Sequence, residues 1–292
     1  MREASSAPPA IRTIFLILLG LLALPWPAQA ADAPAAPDAA DAVVTVVGTG
    51  DSQGLLHILA QRFMRDNPDV RVEVPDSVGT AGGLRALLAG KTVFARTARP
   101  LREEEIAAGL VEVVFAKTPV VFAVNPSVTG VPGLTADQAL GIYSGKITNW
   151  SELGGPDLPI ARVCREIPET SRALLNAAIP GFEADDCHGQ ATAFTTPDAV
   201  AMTTGHPGAI GYFSLAAMTA TTLVPLAFDG VTPTPEHVGR GSYPLAIPFA
   251  LAYKPPLPPA AERFLKSLAS PDALSVMTRL GCLPTLGKRA AP

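Results

Sequence analysis

Cysteine, histidine and charge are all scarce in this 292-residue sequence: three cysteines, four histidines and 16% charged residues. Each shortage closes off a class of function. His57, His188, His206 and His237 form no H-E-x-x-H or other spaced ligand set. Cys164, Cys187 and His188 lack the C-x2-C-like spacing of a zinc centre, so no metal site is expected. There is no Walker A sequence, and any use of ATP would have to come from a separate subunit. A formal net charge of -4 offers no broad basic surface to nucleic acid or anionic membranes. Any anion must therefore be captured locally. No internal repeat of solenoid length is visible, which argues against an extended array.

What the sequence does have begins at its N-terminus. Arg2 and Arg12 precede an apolar run from Ile14 to Leu24, followed by Pro25-Trp26-Pro27 and Ala28-Gln29-Ala30. This order predicts a secretory signal over residues 1–30, cleaved after Ala30. The run is shorter than the about 20 residues that cross a bilayer, and no cysteine stands at the cut to carry a lipid anchor. A freely soluble, exported, periplasmic protein is the expectation. Residues 31–42 are almost entirely Ala, Pro and Asp and read as a flexible leader. In an oxidising compartment three cysteines allow one disulfide and one leftover thiol. Spacing selects no pair; Cys164 and Cys187 flank one strand-helix unit and are the expected bridge, with three buried thiols as the alternative.

With 48% hydrophobic residues, 30 prolines and 25 glycines, the remaining chain suggests many short elements around a substantial core. Val43–Val47 reads as a buried strand, Leu55–Phe63 as a helix stopped by Asn67-Pro68, and Val70–Val74 as a second strand. A glycine-rich turn over residues 77–83 and a helix to Gly90 repeat the unit. This βαβα order predicts an α/β protein whose largely parallel sheets are flanked by helices. Glu103–Glu105 open another helix, and a long apolar stretch, Val111–Val124, is interrupted at Lys117-Thr118-Pro119, where the chain is expected to leave one lobe for another. Lobe I is expected over 43–119 plus 242–292 and lobe II over 120–241. In the latter, a helix follows Thr135 and a strand covers Ile160–Cys164.

Ligands of open α/β sheets bind at the C-terminal ends of strands. Four such turns carry small polar or cationic residues: Gly48, Thr49, Asp51 and Ser52; Ser77, Gly79 and Thr80; Arg96 and Thr97; and Arg165, Glu169, Thr170 and Ser171. Glycine lets backbone approach a ligand, hydroxyls donate, helix N-termini present free N–H groups, and arginine suits oxyanions. These thirteen residues are the candidate ligand site.

Several stretches then carry a resemblance. They are the Gly48-Thr49 turn, Gly79-Thr80-Ala81-Gly82, Arg99-Pro100-Leu101 with glutamates after it, and above all Ile142-Tyr143-Ser144-Gly145-Lys146-Ile147-Thr148-Asn149-Trp150. Gly208-Ala209-Ile210-Gly211-Tyr212 and Tyr243-Pro244-Leu245 follow. In this order the chain resembles the substrate-binding proteins of phosphate ABC transporters over nearly its whole mature length. The resemblance implies a two-lobed type II periplasmic binding protein that closes around phosphate or a related oxyanion. It also implies a membrane permease as partner, a monomer, no cofactor and no catalysis; it places Ser144 in a non-catalytic motif despite a G-x-S-x-G-like setting.

Two contact positions depart from the family. Alignment on Arg99-Pro100-Leu101 puts Val93 where the family has an aspartate, and Arg165 is followed by Glu169, Thr170 and Ser171 in place of a serine, glycine and threonine. Glu169 could supply the missing acceptor, the pocket could take another ligand, or the chain could be an accessory or sensor-type envelope protein with no small ligand.

Overall fold

The computed structural model describes residues 42–167, 169–182 and 191–286. The signal and leader, Cys187 and His188 lie outside the described residues, apart from Ala42, which opens the first strand. Strand β1 (Ala42–Gly48) alternates buried and partly buried residues from Val44 onward, and β2 (Val70–Glu73) and β3 (Phe94–Thr97) pair parallel to it on either side. Between them run α1 (Gln53–Asp66) and α2 (Gly79–Leu88). The predicted glycine-rich turn thus ends earlier than its composition suggests, because Gly79–Gly83 are already helical. The reason is close packing: a methyl on Gly83 would lie 2.6 Å from Gly48 Cα and 2.7 Å from the Val47 carbonyl, so glycine lets α2 rest on β1.

After α3 (Glu103–Ala107), β4 (Val111–Val124) is one unbroken strand of 14 residues through the predicted interruption. Further along come β5 (Gly133–Leu134), α4 (Ala136–Tyr143), β6 (Ala161–Arg165), α5 (Thr170–Ala178), β7 (Ala191–Ala193), α6 (Thr196–Gly205) and β8 (Ala209–Ser214). The chain closes with β9 (Val224–Pro225), β10 (Ala227–Phe228), α7 (Pro235–Arg240), β11 (Ala246–Tyr253), α8 (Pro259–Ser267), α9 (Pro271–Arg279) and β12 (Leu283–Pro284). Thr135 caps α4 by accepting from the Gln138 N–H, at a helix start expected from the sequence, and Ser270 caps α9 by accepting from the Ala273 N–H.

The strands join in the order β2-β1-β3-β11-β4-β8-β6-β7, with β9 and β12 also on β4. Its two arms are parallel, as expected, and its centre is not: β11 runs antiparallel to β3 and β4, and β4 antiparallel to β8. The interruption foreseen at Pro119 has a different meaning in the fold. Residues 111–119 pair with β11, and Val120–Val124 pair with β8, so the change of partner falls immediately after a residue that has no N–H to give. Val120 secures the switch, donating to the Leu245 carbonyl at 2.7 Å and accepting from the Tyr243 hydroxyl at 2.8 Å.

The Ile142–Trp150 motif is core architecture. Trp150 is fully buried and donates through Nε1 to the Gly208 carbonyl at 2.9 Å, while Tyr143 packs against Phe182 and Tyr212 at centroid separations of 5.2 and 5.3 Å. Cys164 is disulfide-bonded and Cys282 is a buried free thiol. Burial raises the Cys282 pKa to about 12.

Gly83→Ala is expected to destabilise by roughly 1–3 kcal/mol through overpacking of α2 on β1. Gly54, in α1, has open space within 4 Å of where a methyl would stand, and should gain about 0.5 kcal/mol on change to Ala. Thermal unfolding of the two variants checks the pair: Gly83→Ala should melt several degrees below wild type and Gly54→Ala slightly above it.

Candidate functional site

Five loops meet around one cavity of about 250 Å³. Thr49 and Gly50 come from the β1–α1 turn, Ser77–Gly82 from the start of α2, Arg99 and Arg102 from the segment after β3, Arg165, Glu166, Glu169 and Thr170 from the β6–α5 turn, and Phe194–Thr196 from the β7–α6 turn. All five follow the C-terminal ends of parallel strands, as the crevice rule for α/β sheets requires. The two arms touch at its edge: a methyl on Gly50 would collide with Pro197 Cδ.

Of the thirteen candidate residues, Thr49, Ser77, Gly79, Thr80, Arg165, Glu169 and Thr170 line this cavity. The other six are buried behind it or hold its walls. Gly48, with φ of 149°, ends β1 where any side chain would collide with the Arg96 carbonyl. Asp51 accepts from the Thr49 hydroxyl at 2.9 Å and from the Ser214 N–H at 3.3 Å. Its own carbonyl accepts from the Ser214 hydroxyl, so it straps the β1–α1 turn to the end of β8.

Arg96 does not present its guanidinium to the cavity as expected. It is fully buried, with Nε donating to the Thr49 carbonyl at 2.6 Å, Nη1 to Val46 at 2.5 Å and Nη2 to Pro75 at 2.7 Å. Burial lowers its pKa to about 10, which leaves it a cation at neutral pH. Arg99 is also engaged, holding Glu105 through two contacts of 2.7 and 2.8 Å that depress the Glu105 pKa. Val93 packs on the core beside β3 and does not line the cavity.

Arg165 is different. Its side chain is 2% exposed; Nε donates to the Ala193 carbonyl at 3.3 Å and Nη2 to Thr196 Oγ1 at 3.4 Å, both weak. No partner is found for its Nη1 among the described residues. Ser52, Thr97 and Ser171, all candidates, likewise bury hydroxyls for which no partner is found among those residues. Unmet buried polar groups cost free energy and are rare, and four of them fall in one predicted site.

Glu169 is a carboxylate deep in this wall. Its Oε2 accepts from the Arg172 N–H at 2.9 Å, capping α5, and Oε1 stands 3.4 Å from Arg165 Nη2. Burial pushes its carboxyl above the usual glutamate range against the pull of Arg165; nearby Asp51 pushes the same way. The Phe194–Thr196 wall was not among the candidates. Its signal was the capping box Thr195-x-x-Asp198, in which Thr195 and Asp198 bond reciprocally at the start of α6.

No arrangement for catalysis is seen at Ser144. Its hydroxyl donates to the Gly141 carbonyl of its own helix. Among the described residues no group of three or more His, Cys, Asp and Glu is placed to hold a metal, and no helix is long and apolar enough to cross a membrane.

Comparison with known proteins places the chain in a family. A family model described as a PBP superfamily domain matches residues 30–272. The phosphate-binding protein PstS of Bacillus subtilis is 31% identical over 245 residues, covering 82% of this chain and 80% of that protein. A phosphate-bound crystal structure from Clostridium perfringens, described as a phosphate ABC transporter substrate-binding protein, superposes with a TM-score of 0.74 at 27% identity. It covers 83% of this chain and 99% of that one. An ABC-type phosphate transport receptor from Vibrio cholerae shares the fold, with a TM-score of 0.59 at 23% identity over 82% of this chain and 99% of that one. The fold is that of the type II periplasmic binding proteins, and the chain belongs to the PBP superfamily and, within it, to the family of phosphate ABC transporter substrate-binding proteins.

Proposed function

We propose that this protein captures phosphate or a related oxyanion in the five-loop cavity and delivers it to the membrane permease of an ABC transporter. The observation that carries this reading is Arg165, a buried guanidinium on the cavity wall whose Nη1 has no partner among the described residues. A desolvated cation with a free donor is strongly stabilised by an oxyanion that bonds it. The cavity also receives the N-terminus of α2 at Gly79–Gly82, where the helix dipole favours negative charge, and the start of α5 at Thr170. Relatives named as phosphate-binding proteins support phosphate as the first ligand to test.

Export belongs to the same reading. Residues 1–30 act as a cleaved signal, the mature chain works as a periplasmic monomer, and no lipid anchors it. The two lobes, 43–119 with 242–292 and 120–241, would move about the partner switch in β4. There Val120 is tied to Tyr243 and Leu245, so the outgoing and returning crossings lie side by side. Cys164 with Cys187 forms the disulfide in this scheme. The reading assigns no enzymatic step and no cofactor.

Calorimetric titration of the mature chain with phosphate, arsenate, sulfate, molybdate and tungstate tests the function. Binding of at least one is expected, with stabilisation of about 2.7 kcal/mol at 100 times the dissociation constant. Silence with all five would end the reading. Arg165→Ala should weaken the bound anion by about 3 kcal/mol, roughly a hundredfold in Kd, since a charge-assisted pair is lost. Arg99→Ala, which removes a guanidinium already held by Glu105, should change Kd far less; equal losses in both variants would show that the anion does not sit on Arg165.

A further inference from the structure

Resting on the reading of this cavity as an anion site, we propose that Glu169 is a specificity-determining residue that couples anion capture to uptake of a proton. Its position gives it that role. An oxyanion that bonds Arg165 Nη1 occupies the same guanidinium whose Nη2 faces Glu169 Oε1 at 3.4 Å. Glu169 also takes the Arg172 N–H at the start of α5, a donor that an incoming anion would otherwise use. Its side chain is 9% exposed, so little water stands ready to screen a second negative charge. The site therefore carries its own counter-anion, and a dianion entering beside it meets like charge in a dry wall.

The charged and titratable groups around Glu169 do not remove the conflict. Arg165 from β6 attracts it, the backbone N–H groups of Ser171 and Arg172 at the start of α5 bond it, Asp51 from the β1–α1 turn repels it, and the Tyr212 phenol from β8 stays neutral because burial raises its pKa. Glu166, exposed on the same turn, adds further negative charge at the cavity. The Arg165 guanidinium thus already stands among two buried carboxylates, Glu169 and Asp51, before any ligand arrives. Protonating Glu169 releases Arg165 for the ligand and turns the carboxyl into a donor that can itself bond the oxyanion. The existing elevation of the Glu169 pKa means this proton is held more readily than by an ordinary glutamate.

The sign follows from linkage. The bound anion raises the Glu169 pKa further, so one proton enters with each dianion between the pKa of the free and of the bound protein. Affinity then rises as pH falls through that window, by up to tenfold per pH unit, and levels off once the free protein is protonated.

Sulfate is the suitable probe because it stays a dianion from about pH 5 to about pH 8. Its Kd and proton uptake are measured by calorimetry in two buffers of different ionisation enthalpy, for wild type and Glu169→Gln, with phosphate alongside. Expected are tighter wild-type sulfate binding at low pH with uptake approaching one proton, and a flat profile for Glu169→Gln with at least tenfold tighter sulfate binding at pH 8. A pH-independent wild-type Kd overturns the proposal, as does a Glu169→Gln protein that keeps the wild-type slope or gains nothing at pH 8. In either case phosphate binding would leave the capture function standing. Failure of both proteins to bind sulfate or phosphate at any pH would overturn the proposal and the anion-binding reading together.

Discussion

Arg96 carries a charge into the interior and, among the described residues, makes no ion pair there, with Asp76 acting on it only from beyond contact distance; the walls of the cavity hang from the way that charge is satisfied. Its guanidinium draws the carbonyls of Val46, Thr49 and Pro75 to one point. These belong to the end of β1, the β1–α1 turn and the β2–α2 turn, so two lining loops share a single anchor. Removing a buried cation from water is costly, and only several well-placed dipoles make it tolerable. The loops are therefore fixed by the same energy that keeps the arginine folded inside. Gly48 must be glycine for this to work, since its neighbour is the Arg96 carbonyl itself.

Asp51 extends the constraint to the other arm of the sheet through the N–H and hydroxyl of Ser214. Ser214 is the residue of β8 that pairs with Val120, the first residue of β4 after its change of partner. The anchoring thus runs from the Arg96 carbonyl cluster to the strand that both arms share.

Much of this was legible in the residues. Valine-rich runs marked β1, β2 and β4, and Thr135 marked a helix start through its hydroxyl. Candidate residues from three of the strand-to-helix turns line the cavity, because small residues at strand ends have a mechanical reason to be there. The roles of the two buried arginines were not legible. Arg96 and Arg165 both close a parallel strand or lie near its end, and nothing local tells which guanidinium will be consumed by carbonyls. That depends on where turns from distant segments arrive. Gly82 and Gly83 likewise suggested a loop by composition, whereas close contact between α2 and β1 holds them in a helix. The capping box at Thr195 was visible, but the β7 strand before it is three residues long and gave no periodicity to frame it.

The net charge of -4 makes the local character of the site a necessity rather than a detail. Long-range attraction cannot gather anions onto such a surface, so recognition has to come from groups whose strength depends on burial: one guanidinium, helix N-termini and hydroxyls. Burial strengthens repulsion by the same factor. A carboxylate that would be harmless on the surface acquires, at Glu169, enough influence to decide which charge state of the site can be filled. The departure from the family's serine at this position is therefore not a loss of one hydroxyl contact. It sets a buried carboxylate 3.4 Å from the guanidinium that the proposed ligand would have to share.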